Sequence, residues 1–284
     1  MAPSDLSRRE LIAGTVGAAG FALAVRPVSA ATISTGNDGL DTADVRIASP
    51  NGEIPAYLAQ PAKRARKPPI VLVVHEIFGV HEHIRDVCRR LAKQGFLAIA
   101  PDLFARQGDV SKLADNKEIF AKVVSKVPDE QVLGDLDRTV AYLKSGGGGD
   151  TNRLAITGFC WGGRIVWLYT AHSKVPKAGV AWYGRLVGDQ DPLHPRRPID
   201  VAAELKAPVL GLYGGQDQGI PVASVEEMRK ALAGGGPAAR KSEIHVYPDS
   251  GHAFFADYRP SYRPADAADG WNRLLAWLKA NGAG

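Results

Sequence analysis

The chain is poor in sulfur. Its 284 residues include two methionines and two cysteines, Cys88 and Cys160. Two cysteines cannot build a disulfide framework, and no CxxC or Cys/His cluster provides for structural zinc. Outside the N-terminus no apolar run reaches 18 residues, so the sequence predicts no transmembrane helix in the mature chain. No block of five like charges occurs; 35 basic residues stand against 30 acidic ones, a net of +5. That balance describes a mixed soluble surface and gives no nucleic-acid face. Four consecutive glycines, Gly146–Gly149, lack the Lys-Ser/Thr that a phosphate loop requires, and read as a turn. There is no G-x-S-x-G, so no serine sits in a nucleophile elbow.

What is present begins with an address. Ser7-Arg8-Arg9-Glu10-Leu11-Ile12 is a twin-arginine pattern, and a weakly apolar stretch from Leu11 to Val25 follows it. Val28-Ser29-Ala30 then places small residues at −3 and −1. Together they predict a Tat-type signal over 1–30, cleaved between Ala30 and Ala31. The expected destination is the periplasm or the exterior, with the Tat translocase as partner during export and no membrane contact after cleavage. Residues 31–43 read as a flexible arm, and 44–284 as one domain.

Hydrophobic patterning gives the architecture. Asp44–Ser49 and Ile54–Pro61 alternate around Asn51-Gly52, a hairpin signal. Pro69–His75 (PIVLVVH) is a β-branched run suited to a strand buried on both faces. Ile84, Val87, Cys88 and Leu91 lie at helical spacing in Glu82–Lys93, which Gly95 stops. His81 and His83 read as loop residues. Helices are expected over Val110–Val127, from Asp129, over Gly162–His172, Val222–Leu232 and Ala265–Ala280. Strands are expected over Phe96–Pro101, Arg153–Gly158, Ala178–Tyr183, Ala207–Tyr213 and Glu243–Tyr247. Alternating strands and helices predict an α/β fold with a mostly parallel, twisted sheet, helices on both faces and an antiparallel N-terminal hairpin.

The chemistry centres on Gly158-Phe159-Cys160-Trp161-Gly162-Gly163. This is the nucleophile-elbow pattern with cysteine in the serine place, and the following helix aims its positive end at the thiol. An acid and a histidine should follow in that order. Asp217, after the strand ending at Tyr213, and His252, after the strand ending at Tyr247, both stand where parallel strands present their carboxyl ends. No metal or cofactor is called for by this set.

The chain resembles the dienelactone hydrolase family, of the α/β-hydrolase fold, from about Asp44 to Leu278. His75-Glu76-Ile77-Phe78-Gly79, Pro101-Asp102-Leu103-Phe104-Ala105-Arg106, Gly214-Gly215-Gln216-Asp217 and Gly251-His252-Ala253-Phe254 carry the likeness. The resemblance implies hydrolysis of enol-lactones by a Cys160–His252–Asp217 triad without metal. It implies that Glu76 contacts the resting thiol and takes its proton when substrate binds, and that Arg106 grips a substrate carboxylate. Backbone N–H groups of Ile77 and Trp161 would form an oxyanion hole. Phe78, Trp161, Trp182, Tyr183 and Phe254 are candidate pocket walls. In one departure, the family's second arginine, four residues after the histidine, is Ala256 here; Arg259 or Arg263 is the candidate replacement. The expected partner is a small ester or lactone, anionic in the family's manner, and a monomer is favoured. Two further readings remain: a broader esterase or acyl-transfer enzyme on the same fold, and a silent member that binds an acidic ligand or senses redox state through Cys160.

Overall fold

The computed structural model describes residues 32–63 and 66–284. The signal over 1–30 lies outside the described residues. One sheet of eight strands organises the rest: β1 (Leu40–Ser49), β2 (Gly52–Pro61), β3 (Pro69–Val74), β4 (Leu97–Pro101), β5 (Asp150–Phe159), β6 (Ala178–Trp182), β7 (Val209–Gly214) and β8 (Glu243–Tyr247). Their order across the sheet is β1-β2-β4-β3-β5-β6-β7-β8. β1/β2 and β2/β4 pair antiparallel, and every later pair is parallel. This is the expected α/β architecture, with the hairpin as its antiparallel edge.

The central strands are buried on both faces, as their continuous apolar runs require: Ile70 through Val74 and Leu97 through Ala100 have no solvent exposure. The main helices are α1 (Glu82–Lys93), α2 (Asn116–Lys122), α3 (Asp129–Tyr142), α4 (Trp161–His172), α5 (Val222–Ala233) and α6 (Pro264–Ala280), and all but α2 pack on strands of the sheet. α1 buries the stripe read from its spacing, with Ile84, Val87, Cys88 and Leu91 fully enclosed. Burial pushes the Cys88 thiol far up, so that cysteine is inert packing and not a redox partner for Cys160.

Three readings need correction. β1 starts at Leu40, inside the segment read as an arm, and the stretch before it is tied down. Thr35 donates its backbone N–H to Asp86 at 2.5 Å and accepts from Arg89 Nε at 2.7 Å, so that segment clamps α1. The helix expected over Val110–Val127 is broken into a turn at Val110–Lys112, α2, and a turn at Val124–Lys126. Asp115 starts α2 afresh by accepting the Glu118 N–H at 2.9 Å, while Glu118 accepts the Ala114 N–H at 2.5 Å. Finally, His81 and His83 are not loop surface. His81 is the N-cap of α1, His83 lies in its first turn, and both side chains are buried.

Candidate active site

The carboxyl ends of β3, β5, β6, β7 and β8 gather at one edge of the sheet, and the chemistry-bearing residues follow them. Cys160 occupies the turn between β5 and α4 with φ 55° and ψ −114°, a conformation that L-residues rarely adopt. The glycines beside it make the turn possible. A Cβ on Gly162 would stand 2.4 Å from the Val74 carbonyl oxygen, and one on Gly158 would stand 2.4 Å from the Gly162 carbonyl oxygen. The elbow therefore presses against the end of β3 with no room for a side chain. The Cys160 N–H donates to Trp182 O at 3.0 Å, which ties this turn's backbone to the end of β6.

Asp217 is buried, and its two oxygens have separate duties. Oδ1 accepts the N–H groups of Gly219 (2.9 Å) and Ile220 (3.2 Å). Oδ2 accepts Nδ1–H of His252 at 2.7 Å. That bond leaves the other ring nitrogen, Nε2, for the Cys160 sulfur beside it. Burial disfavours charge on the imidazole, but hydrogen bonding to Asp217 and to Cys160 outweighs it and pushes the His252 pKa up to about 10. The three side chains thus form a connected proton path from a buried carboxylate to the thiol.

Cys160, Asp217 and His252 line a cavity of about 550 Å³. Its apolar wall includes Ile77, Phe120, Trp161, Tyr183 and Ile220; its polar lining includes Arg164, Arg185, Gln216 and Gln218. The amides of Ile77 and Trp161, one from the loop after β3 and one from the first residue of α4, make no backbone hydrogen bond among the described residues. Tyr183, buried, has φ 37° and sets its ring 5.1 Å from that of His252. Its hydroxyl has no hydrogen-bond partner among the described residues. Burial first, then the neighbouring charges of Glu76 and Cys160, raise its pKa, so the phenol keeps its proton.

Several expected residues are elsewhere. Arg106 does not line the cavity. Its guanidinium is ion-paired with the buried Asp135 and donates to Ser49 Oγ at 3.2 Å. A buried carboxylate 29 positions further on has claimed the arginine expected to meet substrate. Phe78, Trp182 and Phe254 are also absent from the wall. Phe78 lies under the Arg259 guanidinium, 5.8 Å from it, in a separate depression. Trp182 and Phe254 are core residues, their ring centroids 6.0 Å apart, with Trp182 Nε1 donating to Thr157 at 3.2 Å. Neither Arg259 nor Arg263 reaches the cavity lining.

Glu76 is buried and has partners of its own. The Tyr258 hydroxyl donates to its Oε2 at 2.8 Å, and His81 Nε2 lies 3.5 Å from the same oxygen. Burial opposes the charge, yet His81, His83 and Arg259 more than offset it and hold the carboxyl down to about 2. Glu76 is therefore an ionised group with its own partners. Its other oxygen, Oε1, has no hydrogen-bond partner among the described residues, and the thiol bonds to His252.

Sequence reasoning missed Phe120, Ile220, Arg164 and Arg185. Phe120 carried a signal, a large apolar residue in a polar helical stretch; it is 52% exposed on α2 and overhangs the cavity. Arg164 is engaged, its guanidinium making two bonds to Asp129 at 2.6 and 2.7 Å. Arg185 is exposed at the cavity rim and has no ion-pair partner among the described residues.

Comparison with known proteins gives the family. Residues 54–282 match the dienelactone hydrolase family. The chain is 59% identical over 282 residues to a Methylorubrum extorquens protein named "Putative carboxymethylenebutenolidase", covering 99% of this chain and 95% of that one. It is 54% identical over 263 residues to the protein of that name from Escherichia coli K12, covering 93% and 96%. A crystal structure of a "Putative Dienelactone Hydrolase" from Klebsiella pneumoniae superposes with a TM-score of 0.81 at 53% identity, covering 84% of this chain and 98% of that one. The metagenomic phosphotriesterase P91, described as dienelactone hydrolase-like, shares the fold at TM-score 0.71 and 17% identity, covering 86% and 99%. The chain belongs to the dienelactone hydrolase family and is a hydrolase of the α/β-hydrolase fold.

Proposed function

We propose that the enzyme hydrolyses a carboxylic ester or lactone through a thioester on Cys160. The observation that carries this reading is the connected path from Asp217 through His252 to a thiol on a strained elbow. The Cys160 thiol passes its proton to His252 Nε2 as Sγ attacks the acyl carbon, and the carbonyl electrons move onto oxygen, which the Ile77 and Trp161 N–H groups receive. Collapse of this intermediate breaks the acyl C–O bond, and the leaving alkoxide takes the proton from His252 Nε2. In a lactone that alkoxide stays tethered to the acyl group. Water then attacks the thioester with His252 as base, releasing the acid and restoring the thiol. A screen of lactones and aryl esters, with and without iodoacetamide, tests the reading. Turnover that disappears on alkylation supports it; alkylation of an enzyme that turns over nothing would point to a ligand binder or thiol sensor.

The relatives' name supports a lactone with a carboxylate beside it. With Arg106 paired to Asp135, the cation free to meet that carboxylate in the cavity is Arg185. A charge-assisted bond at a part-exposed rim is worth about 1–2 kcal/mol, or roughly 5- to 30-fold in kcat/KM. A matched acid and methyl ester should differ by that factor, and Arg185→Ala should remove the difference while sparing the neutral ester. Arg106→Ala should instead lower stability by about 3 kcal/mol, because it strands Asp135 in the interior. A charge preference lost with Arg106 and kept without Arg185 would reverse the assignment. The apolar wall around Phe120 also favours a broader esterase reading, which turnover of neutral aryl esters in the same screen would support.

We further propose export by the twin-arginine route. Replacing Arg8 and Arg9 together by lysine should leave precursor in the cytoplasm, as fractionation and immunoblotting would show. Unchanged export would assign the segment to the general secretory route.

A further inference from the structure

Behind the catalytic cavity lies a buried imidazole that the reaction does not use. His75 is fully enclosed and is not part of the cavity lining. Its Nδ1 stands 2.6 Å from the backbone oxygen of Glu76. Its Nε2 accepts the Leu103 N–H at 3.1 Å. A carbonyl can only accept and an N–H can only donate, so the partners fix the tautomer: Nδ1 carries the proton and Nε2 is bare. The same ring lies 5.5 Å from that of Trp161, nearly parallel at 18°, and Phe104 packs edge-on against it at 4.6 Å.

These contacts converge on the oxyanion hole. The Glu76 carbonyl and the Ile77 N–H are two ends of one planar peptide unit, so fixing the direction of the C=O fixes that of the N–H. A hydrogen bond received by that carbonyl also polarises the amide and strengthens its N–H as a donor. The flat face of the imidazole meets the side chain of Trp161, the residue that supplies the second donor. We propose that His75 is a positioning residue that orients and polarises the Glu76–Ile77 peptide and braces Trp161, so that both oxyanion donors are set before substrate arrives. The inference rests on the assignment of the Ile77 and Trp161 amides as those donors.

The test separates oxyanion stabilisation from the nucleophile and from folding. Four quantities are measured with an activated aryl ester and two probes: kcat, KM, the affinity of a trifluoromethyl ketone that forms a tetrahedral thiohemiketal, and the rate of Cys160 alkylation by iodoacetamide. Loss of a direct oxyanion donor costs roughly 100- to 1000-fold, so an indirect brace should cost about 10- to 100-fold. His75→Leu should lower kcat and ketone affinity in parallel by that factor, with KM and alkylation rate within about twofold of wild type. His75→Asn, whose amide can still donate to the Glu76 carbonyl, should recover activity that His75→Gln does not. If His75→Leu does not fold, the Asn and Gln pair decides the matter, with melting curves to show that both are folded. Equal loss of alkylation and turnover, or Asn no better than Gln, would overturn the proposal and make His75 a packing residue. A wild-type enzyme that binds no trifluoromethyl ketone would instead remove the oxyanion-hole assignment itself.

Discussion

Replacing Cys160 with alanine is expected to lower kcat/KM for any accepted ester by roughly 10⁴-fold or more while the protein stays folded. The expectation follows from where the thiol sits. Its backbone is held by the Trp182 carbonyl and by glycines packed against β3, none of which involves sulfur. Alanine meets the same φ of 55° with a similar Cβ, so the stability change should stay within about 1 kcal/mol. The chemistry has no substitute, because G-x-S-x-G does not occur in the chain. The comparison to make is kcat/KM beside a thermal melt on the same preparation. Activity within tenfold of wild type would remove Cys160 from its role.

Asp217→Asn is expected to reduce kcat by roughly 10³- to 10⁴-fold. The carboxylate performs two tasks at once. Through Oδ1 it closes the turn at Gly219 and Ile220, and through Oδ2 it fixes the His252 tautomer. An asparagine can keep one task only by turning its amide, and presenting NH₂ to Nδ1 forces the proton onto Nε2, the wrong nitrogen. The pH profile should move in a definite direction. His252 is held at about 10, above the ordinary 6.5, partly by this carboxylate. The charged imidazole therefore persists well above neutrality in the wild type and is lost as pH rises through that value. Without the carboxylate that upper limb should shift down toward the ordinary imidazole range. A variant with full kcat, or with an unmoved upper limb, would show that Asp217 does not orient His252.

How far the sequence foretold this site depends on the range of the interaction that decides each residue. The elbow was legible because its cause is local: the glycines that allow the sharp turn lie within a few positions of Cys160. The helix Glu82–Lys93 and the central strands were legible because their periodicity records which faces are buried. Asp217 and His252 were placed by strand order, since a parallel sheet collects its carboxyl ends on one edge. Arg106 failed for the opposite reason. Nothing near it announces Asp135, whose claim on the guanidinium exists only after α3 has packed. His81 and His83 read as loop residues, whereas Glu76 close by and Asp257 and Tyr258 from a distant part of the chain supply the partners that let them be buried. Glu76 was legible as part of a motif, but its bond from Tyr258, 182 positions further on, was not. The break before α2 was available locally in Asp115 and Glu118, a capping pair hidden inside an otherwise helical stretch.

The central claim is that the acyl group passes through sulfur. It is tested most directly by trapping: the enzyme is mixed with a slowly hydrolysed aryl ester, quenched in acid within the first turnover, and examined by intact and peptide mass spectrometry. The account predicts an adduct of the acyl mass on the peptide carrying Cys160, released by hydroxylamine and absent in Cys160→Ala. An adduct on another residue, or undiminished turnover with Cys160 unmodified in every quenched sample, would contradict it.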